Sequence, residues 1–236
     1  MDCSRRNLLI SAGAVIFTTG VSQSAFGRKA LVGTMEDGNK RYGMVFDETA
    51  CIGCTACTDA CRTVNNVPEG QSRLEIVRSE PKGEYPNISY QFSRVSCQHC
   101  DNAPCVHVCP TGAAYTDPTT GIVDVTSDKC VGCGYCAWAC PYDAPKLDEN
   151  KGKMTKCNFC YDDIDQGKSP ACVEACPLRV LGFGELEKLE SEHGEIHGVF
   201  PLPDDSLTHP AIVITPHKDA HRAATEPTQT ANREEV

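Results

Sequence analysis

The chain has 236 residues, a length that suits one large or two small domains, and its formal net charge is −10. The acidic balance argues against nucleic-acid binding, because a phosphate backbone is bound by clustered Lys and Arg side chains. Only 6% of the residues are aromatic, whereas 17 are cysteine. This composition argues against a conventional apolar core and indicates packing around inorganic cofactors, whose binding energy becomes folding energy.

Residues 1–27 have the pattern of an export signal. Ser4-Arg5-Arg6-Asn7-Leu8-Leu9 resembles a twin-arginine motif, an apolar stretch follows at 8–21, and small residues at 25–27 suit cleavage. This route exports proteins already folded around cofactors, so the pattern predicts a location on the periplasmic side, or at the cell surface within a complex. The apolar stretch is too short and too polar to span a membrane, and no later stretch approaches that character. Cys3 is predicted to leave with the signal.

Short elements are predicted along the rest of the chain. A helix carries Leu186 and Leu189 on one face and ends at Gly194. A polar tail at 217–236 has no apolar period and is predicted to be flexible. Strands are predicted from alternating or apolar runs at 41–46, 72–80, 88–95, 113–116, 122–125 and 211–214.

Sixteen of the 17 cysteines form four runs of four. The first and third runs have the spacing Cys-x2-Cys-x2-Cys-x3-Cys, typical of bacterial two-cluster ferredoxins, in which the fourth Cys binds the other cluster. The fourth run has a wider gap, which predicts an insertion loop around 167–170. Sixteen thiols match four [4Fe–4S] clusters with none left over. The runs are Cys51, Cys54, Cys57, Cys61; Cys97, Cys100, Cys105, Cys109; Cys130, Cys133, Cys136, Cys140; and Cys157, Cys160, Cys172, Cys176.

The spacing between runs predicts how they pair. The two middle runs are separated by a short segment close to that of a compact two-cluster ferredoxin, so they pair with each other, and the outer runs pair across them. The predicted fold is α+β, a nested double bacterial-type ferredoxin with short hairpins and loops. Its inner module is 97–140, and its outer module combines 41–96 with 141–216. The predicted ligand sets are quartet one (Cys51, Cys54, Cys57, Cys176), quartet two (Cys61, Cys157, Cys160, Cys172), quartet three (Cys97, Cys100, Cys105, Cys140) and quartet four (Cys109, Cys130, Cys133, Cys136).

Two other uses of the cysteines stay open. Paired Cys-x2-Cys motifs also hold zinc, which would make this a zinc-stabilised assembly protein. However, the Cys-x2-Cys-x2-Cys-x3-Cys runs place more sulfur together than one zinc ion requires. A disulfide scaffold is common in exported proteins, but export in a folded, cofactor-loaded state argues against it.

Several residues beside the cysteines have two interpretations. Lys129 and Lys156 each precede the first Cys of a run. Each either softens the charge of an anionic cluster and raises its reduction potential, or is a solvated surface lysine. His99 and His107 lie within the second run, and with a full set of cysteines we expect them to be hydrogen-bonding or surface residues. Aromatic residues beside ligands are expected to pack against a cluster: Tyr135, Trp138, Phe159 and Tyr161.

No motif of a separate catalytic centre is found. Gly182-Phe183-Gly184 lacks the third glycine and the context of a dinucleotide-binding turn. There is also no zinc-protease motif and no nucleophile elbow. Since every predicted cluster has four cysteine ligands, no iron is left open for a substrate. These features predict an electron relay between two other proteins rather than an enzyme.

The cysteine runs and their flanks resemble the iron–sulfur subunits of molybdopterin oxidoreductases over about residues 41–216. Some segments resemble the iron–sulfur protein of formate-dependent nitrite reduction, namely 41–45, 51–57 and 96–101. Others resemble the B subunit of dimethyl sulfoxide reductase, namely 139–142, 153–157, 176–179, 201–203, 212–214 and 231–236. The tail and the segments after the clusters are given more weight, because the cysteine runs are common to the whole group whereas tails meet specific partners.

The resemblance implies an electron-transfer subunit of an anaerobic respiratory reductase, with dimethyl sulfoxide as the preferred terminal substrate. Electrons would come from a quinol-oxidising membrane subunit or a cytochrome, and pass through four [4Fe–4S] clusters to a molybdopterin catalytic subunit. Alternatives are the relay of nitrite reduction, or of a thiosulfate, polysulfide or tetrathionate reductase. The export signal departs from many B subunits of dimethyl sulfoxide reductase and keeps the nitrite type open. Relatives that replace one Cys with Trp carry a three-iron cluster, but all sixteen positions are Cys here.

Overall fold

The computed structural model describes residues 40–220. The predicted export signal therefore lies outside the described residues, as does most of the predicted tail. The helices are α1 (Ala56–Val64), α2 (Pro104–His107), α3 (Tyr135–Ala139), α4 (Tyr161–Asp165), α5 (Ala171–Ala175) and α6 (Leu186–His193). The strands are β1 (Tyr42–Asp47), β2 (Leu74–Arg78), β3 (Phe92–Ser96), β4 (Ala114–Thr116), β5 (Val123–Val125), β6 (Lys146–Asp148), β7 (Lys153–Thr155), β8 (Leu181–Glu185) and β9 (Ile212–Thr215).

A three-stranded sheet joins segments that are far apart in the sequence. Its order is β8-β1-β9, with β1 antiparallel to β8 and parallel to β9. Residues alternate across the sheet as period-two packing requires. Met44 and Phe46 enter the main core together with buried cysteines, whereas Val45 faces a smaller cluster with Leu186 and Leu189 of α6. The sheet therefore ties both ends of the described region to one core.

The other strands form three two-stranded hairpins, β2-β3, β4-β5 and β6-β7. The first two were predicted, but β3 begins at Phe92 rather than at residue 88. Ile88 and Tyr90 are exposed, and the backbone there forms only an isolated bridge between Lys82 and Ser89. The prediction of a strand that starts at residue 88 is therefore wrong for its first residues, because the turn-rich segment before β3 holds Ile88 and Tyr90 away from the core.

The helices are short because the cysteine runs set their length. In three of the runs a proline directly follows the last cysteine, and α2, α3 and α5 each end by that cysteine. Proline disfavours helical conformation in the residue before it. α1 has no such proline and reaches Val64. The insertion in the fourth run contains α4 in addition to the predicted loop.

The first residues of the predicted tail contact the body of the protein. The backbone N–H of His217 donates to Glu48 Oε2 at 3.2 Å, and Lys82 Nζ donates to the carbonyl of Asp219 at 2.7 Å. Within residues 40–220, no helix combines the length and the apolar character that a membrane crossing needs.

Candidate iron–sulfur sites

The four Cys-x2-Cys loops share one backbone feature. The residue directly before the second cysteine has a positive φ in every run: Gly53 at 67°, His99 at 47°, Gly132 at 68° and Phe159 at 57°. This left-handed conformation is unfavourable for residues with a Cβ atom, so its occurrence at His99 and Phe159 shows that the surrounding structure imposes it. The four loops are thus structural repeats despite their different sequences.

Backbone N–H groups donate to several cysteine sulfurs. Ala114 N–H donates to Cys109 Sγ at 3.3 Å, and Met154 N–H donates to Cys130 Sγ at 3.3 Å. Such hydrogen bonds favour the thiolate over the thiol. Burial raises the pKa of Cys109, but the hydrogen bonds from Ala114 and Thr111 together outweigh it and leave the pKa below its ordinary value.

The two outer quartets each surround a cavity. One cavity is lined by all four cysteines of quartet one, together with apolar residues that include Phe46 and Leu181. The other is lined by all four cysteines of quartet two, together with Met44, Arg94 and Phe159. Each cavity therefore brings cysteines of the first run together with cysteines of the fourth run.

The electrostatic interactions between thiols show which cysteines of the inner quartets are neighbours. Burial, followed by the thiols of Cys97, Cys140 and Cys105, raises the pKa of Cys100 to about 12, although a hydrogen bond with Thr208 lowers it. All four cysteines of quartet three are thus neighbours. In quartet four, Cys136 interacts with Cys130 and Cys133. The interactions of Cys109 are with Ala114 and Thr111, and its place in quartet four rests on the spacing of the runs.

The donor set suits a [4Fe–4S] cluster. Burial, followed by the thiols of Cys157 and Cys160, raises the pKa of Cys61 to about 12. Burial also raises the pKa of Cys172. Cluster ligands are thiolates, so such buried sulfurs need a strong cationic partner, and iron supplies that charge. Four soft sulfur donors around a cavity are the ligands that iron–sulfur clusters use.

Other metal arrangements find no support in the described part of the protein. All sixteen cysteines of the runs are free of disulfides. Within residues 40–220, no group of three or more His, Cys, Asp or Glu side chains is placed to hold a single metal ion. A zinc site needs four donors about 2–2.3 Å from one ion, so the zinc alternative gains nothing from the geometry.

Among the sixteen cysteines in the described part of the protein, two are exposed, and exposed apolar residues lie close to both of them in the sequence. Cys54 of quartet one lies near Ile52, which is 62% exposed. Cys133 of quartet four precedes Trp138 by five residues in the sequence, and Trp138 is 78% exposed and close to the half-exposed Tyr135. The expectation that Trp138 packs against a cluster is therefore wrong, because its ring points into solvent. By contrast, Phe159 is fully buried, as expected.

Two buried cations lie among the interior cysteines. Lys156 is only 3% exposed and its Nζ donates to Cys97 Sγ at 3.4 Å, so its interpretation as a solvated surface lysine is wrong. Lys129 is exposed, as that interpretation expected. Arg94, on β3, is also 3% exposed and was not identified from the sequence. In the sequence, the available signal was a charged residue inside a short strand. Because Arg is rarely buried without a partner, such a residue indicates a specific role.

Quartet two has further polar neighbours. Asn65 Nδ2 lies 3.7 Å from Cys61 Sγ and 3.8 Å from Cys160 Sγ. Arg73 Nη1 donates to Asn65 Oδ1 at 3.0 Å and thereby orients that amide. Neither residue was singled out by sequence reasoning, because each lies outside the cysteine runs.

The two histidines of the second run are not placed as ligands. His99 is fully buried and stacks on Phe159 with ring centroids 3.6 Å apart. Its Nδ1 accepts a hydrogen bond from Val123 N–H at 3.1 Å. Burial, and then the charges of Lys156 and Arg94, hold the pKa of His99 well below its ordinary value, so it is neutral. His107 is exposed.

Comparisons with protein families match the segments that contain the cysteine runs. A model described as a 4Fe–4S dicluster domain matches residues 88–186, and a second model with the same description matches residues 50–113. Together they cover all four runs. The protein thus contains two 4Fe–4S dicluster domains with mixed helix and strand content, and carries multiple [4Fe–4S] clusters.

Three relatives match most of their own length to this protein. The protein NrfC homolog of Haemophilus influenzae is 57% identical over 185 residues, which is 78% of this chain and 80% of that protein. The thiosulfate reductase electron transfer subunit PhsB of Salmonella typhi is 50% identical over 152 residues, 64% and 79%. The B subunit of the anaerobic dimethyl sulfoxide reductase of Escherichia coli is 39% identical over 203 residues, 83% and 98%. The protein belongs to this family of iron–sulfur electron-transfer subunits of molybdopterin oxidoreductases, and is a non-catalytic member of a reductase complex.

Proposed function

We propose that the protein relays electrons through four [4Fe–4S] clusters in series, with quartets one to four as the four ligand sets. The nested double-ferredoxin arrangement, with modules at 97–140 and at 41–96 plus 141–216, is part of this proposal. The proposal rests on neighbouring thiols that form a continuous series, from quartet one with the exposed Cys54 to quartet four with the exposed Cys133. Each junction between quartets has its own structural support.

The first junction is helix α1. Cys57 and Cys61 both lie on this helix, yet Cys57 lines the cavity of quartet one and Cys61 lines that of quartet two. α5 does the same from the other end of the sequence, because Cys172 lines the second cavity and Cys176, directly after the helix, lines the first. α1 and α5 pack against each other. These two helices would thus fix clusters one and two side by side.

The second and third junctions follow from thiol neighbours. Burial raises the pKa of Cys157, the charge of Arg94 opposes this effect, and the thiol of Cys97 adds to it, so the pKa is raised overall. The interaction between Cys157 and Cys97 links quartet two to quartet three. Cys105 of quartet three interacts in the same way with Cys136 of quartet four. These contacts support the order one, two, three, four. The exposed Cys54 and Cys133 then belong to the two ends, where partner proteins would exchange electrons.

The partners are a molybdopterin catalytic subunit at one end, and a quinol-oxidising membrane subunit or a cytochrome at the other. The predicted twin-arginine signal supports assembly on the periplasmic side, with exposure at the cell surface as part of a complex as a variant. The terminal acceptor has two candidates. The segments 201–203 and 212–214 favour dimethyl sulfoxide reductase, as the sequence predicts. The higher identity to the NrfC homolog favours a nitrite-type relay.

The first test is the composition of the intact protein. The tagged native complex, purified without oxygen, should contain about sixteen iron atoms and as much acid-labile sulfide per polypeptide, four for each of four clusters. Fewer clusters would contradict the proposal, and colourless protein with bound zinc would replace it with the zinc-stabilised alternative. Rapid reoxidation of the reduced clusters by dimethyl sulfoxide, with molybdenum present, would identify the acceptor. Reduction of a multihaem cytochrome in its place would identify the nitrite type.

The crossed ligation has its own test within one run. Cys172 and Cys176 are four residues apart but belong to different quartets. Cys176→Ser should remove the electron paramagnetic resonance signal of cluster one, and Cys172→Ser that of cluster two. Each variant is the matched control of the other. Loss of the same signal in both variants would contradict the pairing.

A further inference from the structure

Lys156 is built into the contact between quartets two and three. Its Nζ donates to Cys97 Sγ at 3.4 Å, to the carbonyl of Cys157 at 2.8 Å and to the carbonyl of Val123. An ammonium group has three hydrogens and no acceptor, so these three acceptors use its full hydrogen-bonding capacity. The side chain is 3% exposed. Lys156 is therefore a charged group fixed between a ligand of cluster three and a ligand of cluster two.

Arg94 is built into the contact between quartets one and two. Its Nη2 lies 3.5 Å from Met44 Sδ, whereas Nε and Nη1 are buried and have no hydrogen-bond partner among the described residues. The side chain lines the cavity of quartet two. Burial raises the pKa of Cys57, and the Arg94 charge opposes that effect, so the guanidinium is also close to quartet one.

The unpartnered nitrogens of Arg94 indicate what they face. A buried guanidinium without acceptors is costly, because its N–H groups lose water without compensation. The neighbouring cavity is lined by four cysteines whose cluster would be anionic, with sulfide atoms able to accept hydrogen bonds. The unpartnered N–H groups of Arg94 would therefore suit an anionic sulfur cluster in this cavity, which Asn65 also lines.

We propose that Lys156 and Arg94 are positioning residues that raise the reduction potentials of the clusters they separate, so that the interior of the relay accepts electrons more readily than charge-free ligation would allow. This inference rests on the proposed ligand quartets. A reduced cluster carries one more negative charge than its oxidised form. A nearby cation therefore stabilises the reduced form, and does so strongly where water is excluded. Lys156 acts on clusters two and three, Arg94 acts on clusters one and two, and cluster two is influenced by both.

The test is a redox titration of the purified holoprotein, followed by electron paramagnetic resonance. The signals of clusters one and two are assigned with Cys176→Ser and Cys172→Ser, and those of clusters three and four with Cys140→Ser and Cys109→Ser. Lys156→Met should lower the potentials of clusters two and three, with at least a tenfold change in the reduction equilibrium of cluster three, or about 59 mV for one electron. Arg94→Gln should lower those of clusters two and one. Neither change should move cluster four. The double variant should show the largest shift in cluster two.

Matched variants separate charge from packing. Lys129 occupies the same place before a cysteine run but is exposed, so Lys129→Met should leave all four potentials unchanged. Lys156→Arg and Arg94→Lys retain the charge and should retain most of the potential, which a purely structural role does not explain.

The outcomes that would overturn the inference are specific. One is unchanged potentials in the neutral variants, and another is an equal shift in all four clusters. A third is loss of the clusters in the neutral variants while the charge-preserving variants keep them at unaltered potentials, because this would make the cations assembly residues only. Iron and sulfide content of the wild-type protein is measured first. A shortfall there contradicts the ligand quartets themselves, whereas a full complement with unmoved potentials contradicts only this inference.

Discussion

Quartets two and four both contain cysteines of a Cys-x2-Cys loop, yet quartet two is enclosed by protein and quartet four reaches the surface. Quartet two is enclosed, with Cys172 buried and with Arg94, Arg73 and Asn65 around it. Quartet four reaches the surface at the exposed Cys133. Ligation alone therefore does not define a relay. Burial, charge and hydrogen bonds to sulfur distinguish clusters that are chemically identical, and these are the properties that set reduction potentials.

The largest expected contrast comes from removing one ligand in each quartet. Cys61→Ser should yield less soluble protein than Cys133→Ser, because Cys61 lies on α1 at the junction of the two outer quartets and cluster binding supplies folding energy. Cys133→Ser should leave a folded protein that retains about three clusters. Soluble yield and iron content measure both. Equal yields from the two variants would show that the interior quartet has no special structural role.

Oxidative damage should also distinguish the exposed quartets from the interior ones. Susceptibility of cysteine ligands follows their exposure, so the clusters that contain Cys54 and Cys133 should be lost to mild oxidant before the interior ones, by about tenfold in rate. Timed samples followed by electron paramagnetic resonance give the order of loss. Simultaneous loss of all four signals would mean that enclosure gives the interior quartets no protection.

Glycine substitutions should have a smaller effect, and they test the shared loop. Gly132 has a φ of +68°, and a Cβ atom there would lie 2.4 Å from the carbonyl oxygen of Gly152. Gly132→Ala should therefore destabilise the loop by more than the ~1–2 kcal/mol cost of a left-handed residue alone. Gly134→Ala is the matched control, because its φ is +78° and nothing lies within 4 Å of the added atom. The rate of cluster bleaching on warming compares them, and equal rates would show that the contact with Gly152 is unimportant.

The smallest expected effect concerns the buried carboxyl group of Glu48. Glu48 accepts hydrogen bonds from Ser93 and Gln91, which lie on or beside the strand that carries Arg94. Burial outweighs these hydrogen bonds and holds the pKa of Glu48 above its ordinary value of 4.5. In the window between the ordinary and the raised pKa, the folded state binds more protons than the unfolded state, so this group's contribution to stability is lost as pH rises through that window.

Glu48→Gln should remove that pH-dependent component, since an amide does not ionise. The bleaching rate of the wild-type protein should rise from pH 4.5 upwards relative to that of the variant. A constant ratio of the two rates across this range would contradict the assigned direction of the pKa shift.

The sequence predicted the parts of the fold that cysteine spacing and simple periodicity control. The hairpin of β4 and β5, the helix with Leu186 and Leu189, and its end at Gly194 all agree with expectation. The hairpin of β6 and β7 was missed, because strands of three residues with charged members have no clear period. Its residues pair because the segment that links the third and fourth runs must turn back.

The ligand quartets drawn from the cysteine runs stay a prediction, whereas the surroundings of the candidate site were not predictable from the sequence. Lys129 and Lys156 are indistinguishable in the sequence, since each stands before a cysteine run. Only tertiary packing against β5 and Cys97 makes Lys156 interior. Arg94 likewise gains its meaning from residues distant in the sequence. The environment of the cysteines is assembled by the fold, whereas the predicted ligand quartets rest on the spacing of the cysteine runs.

The β8-β1-β9 sheet also has a consequence for the timing of biogenesis. A ribosome makes β1 and the first cysteine run early, but β8 and β9, which flank β1, are among the last segments to emerge. On the proposed ligation, quartet three is complete as soon as Cys140 has been made, whereas quartet one must wait for Cys176. Iron loading would thus begin in the middle of the polypeptide and finish at its ends. A prematurely terminated product could not close its outer clusters, and only a full-length product would complete the sheet.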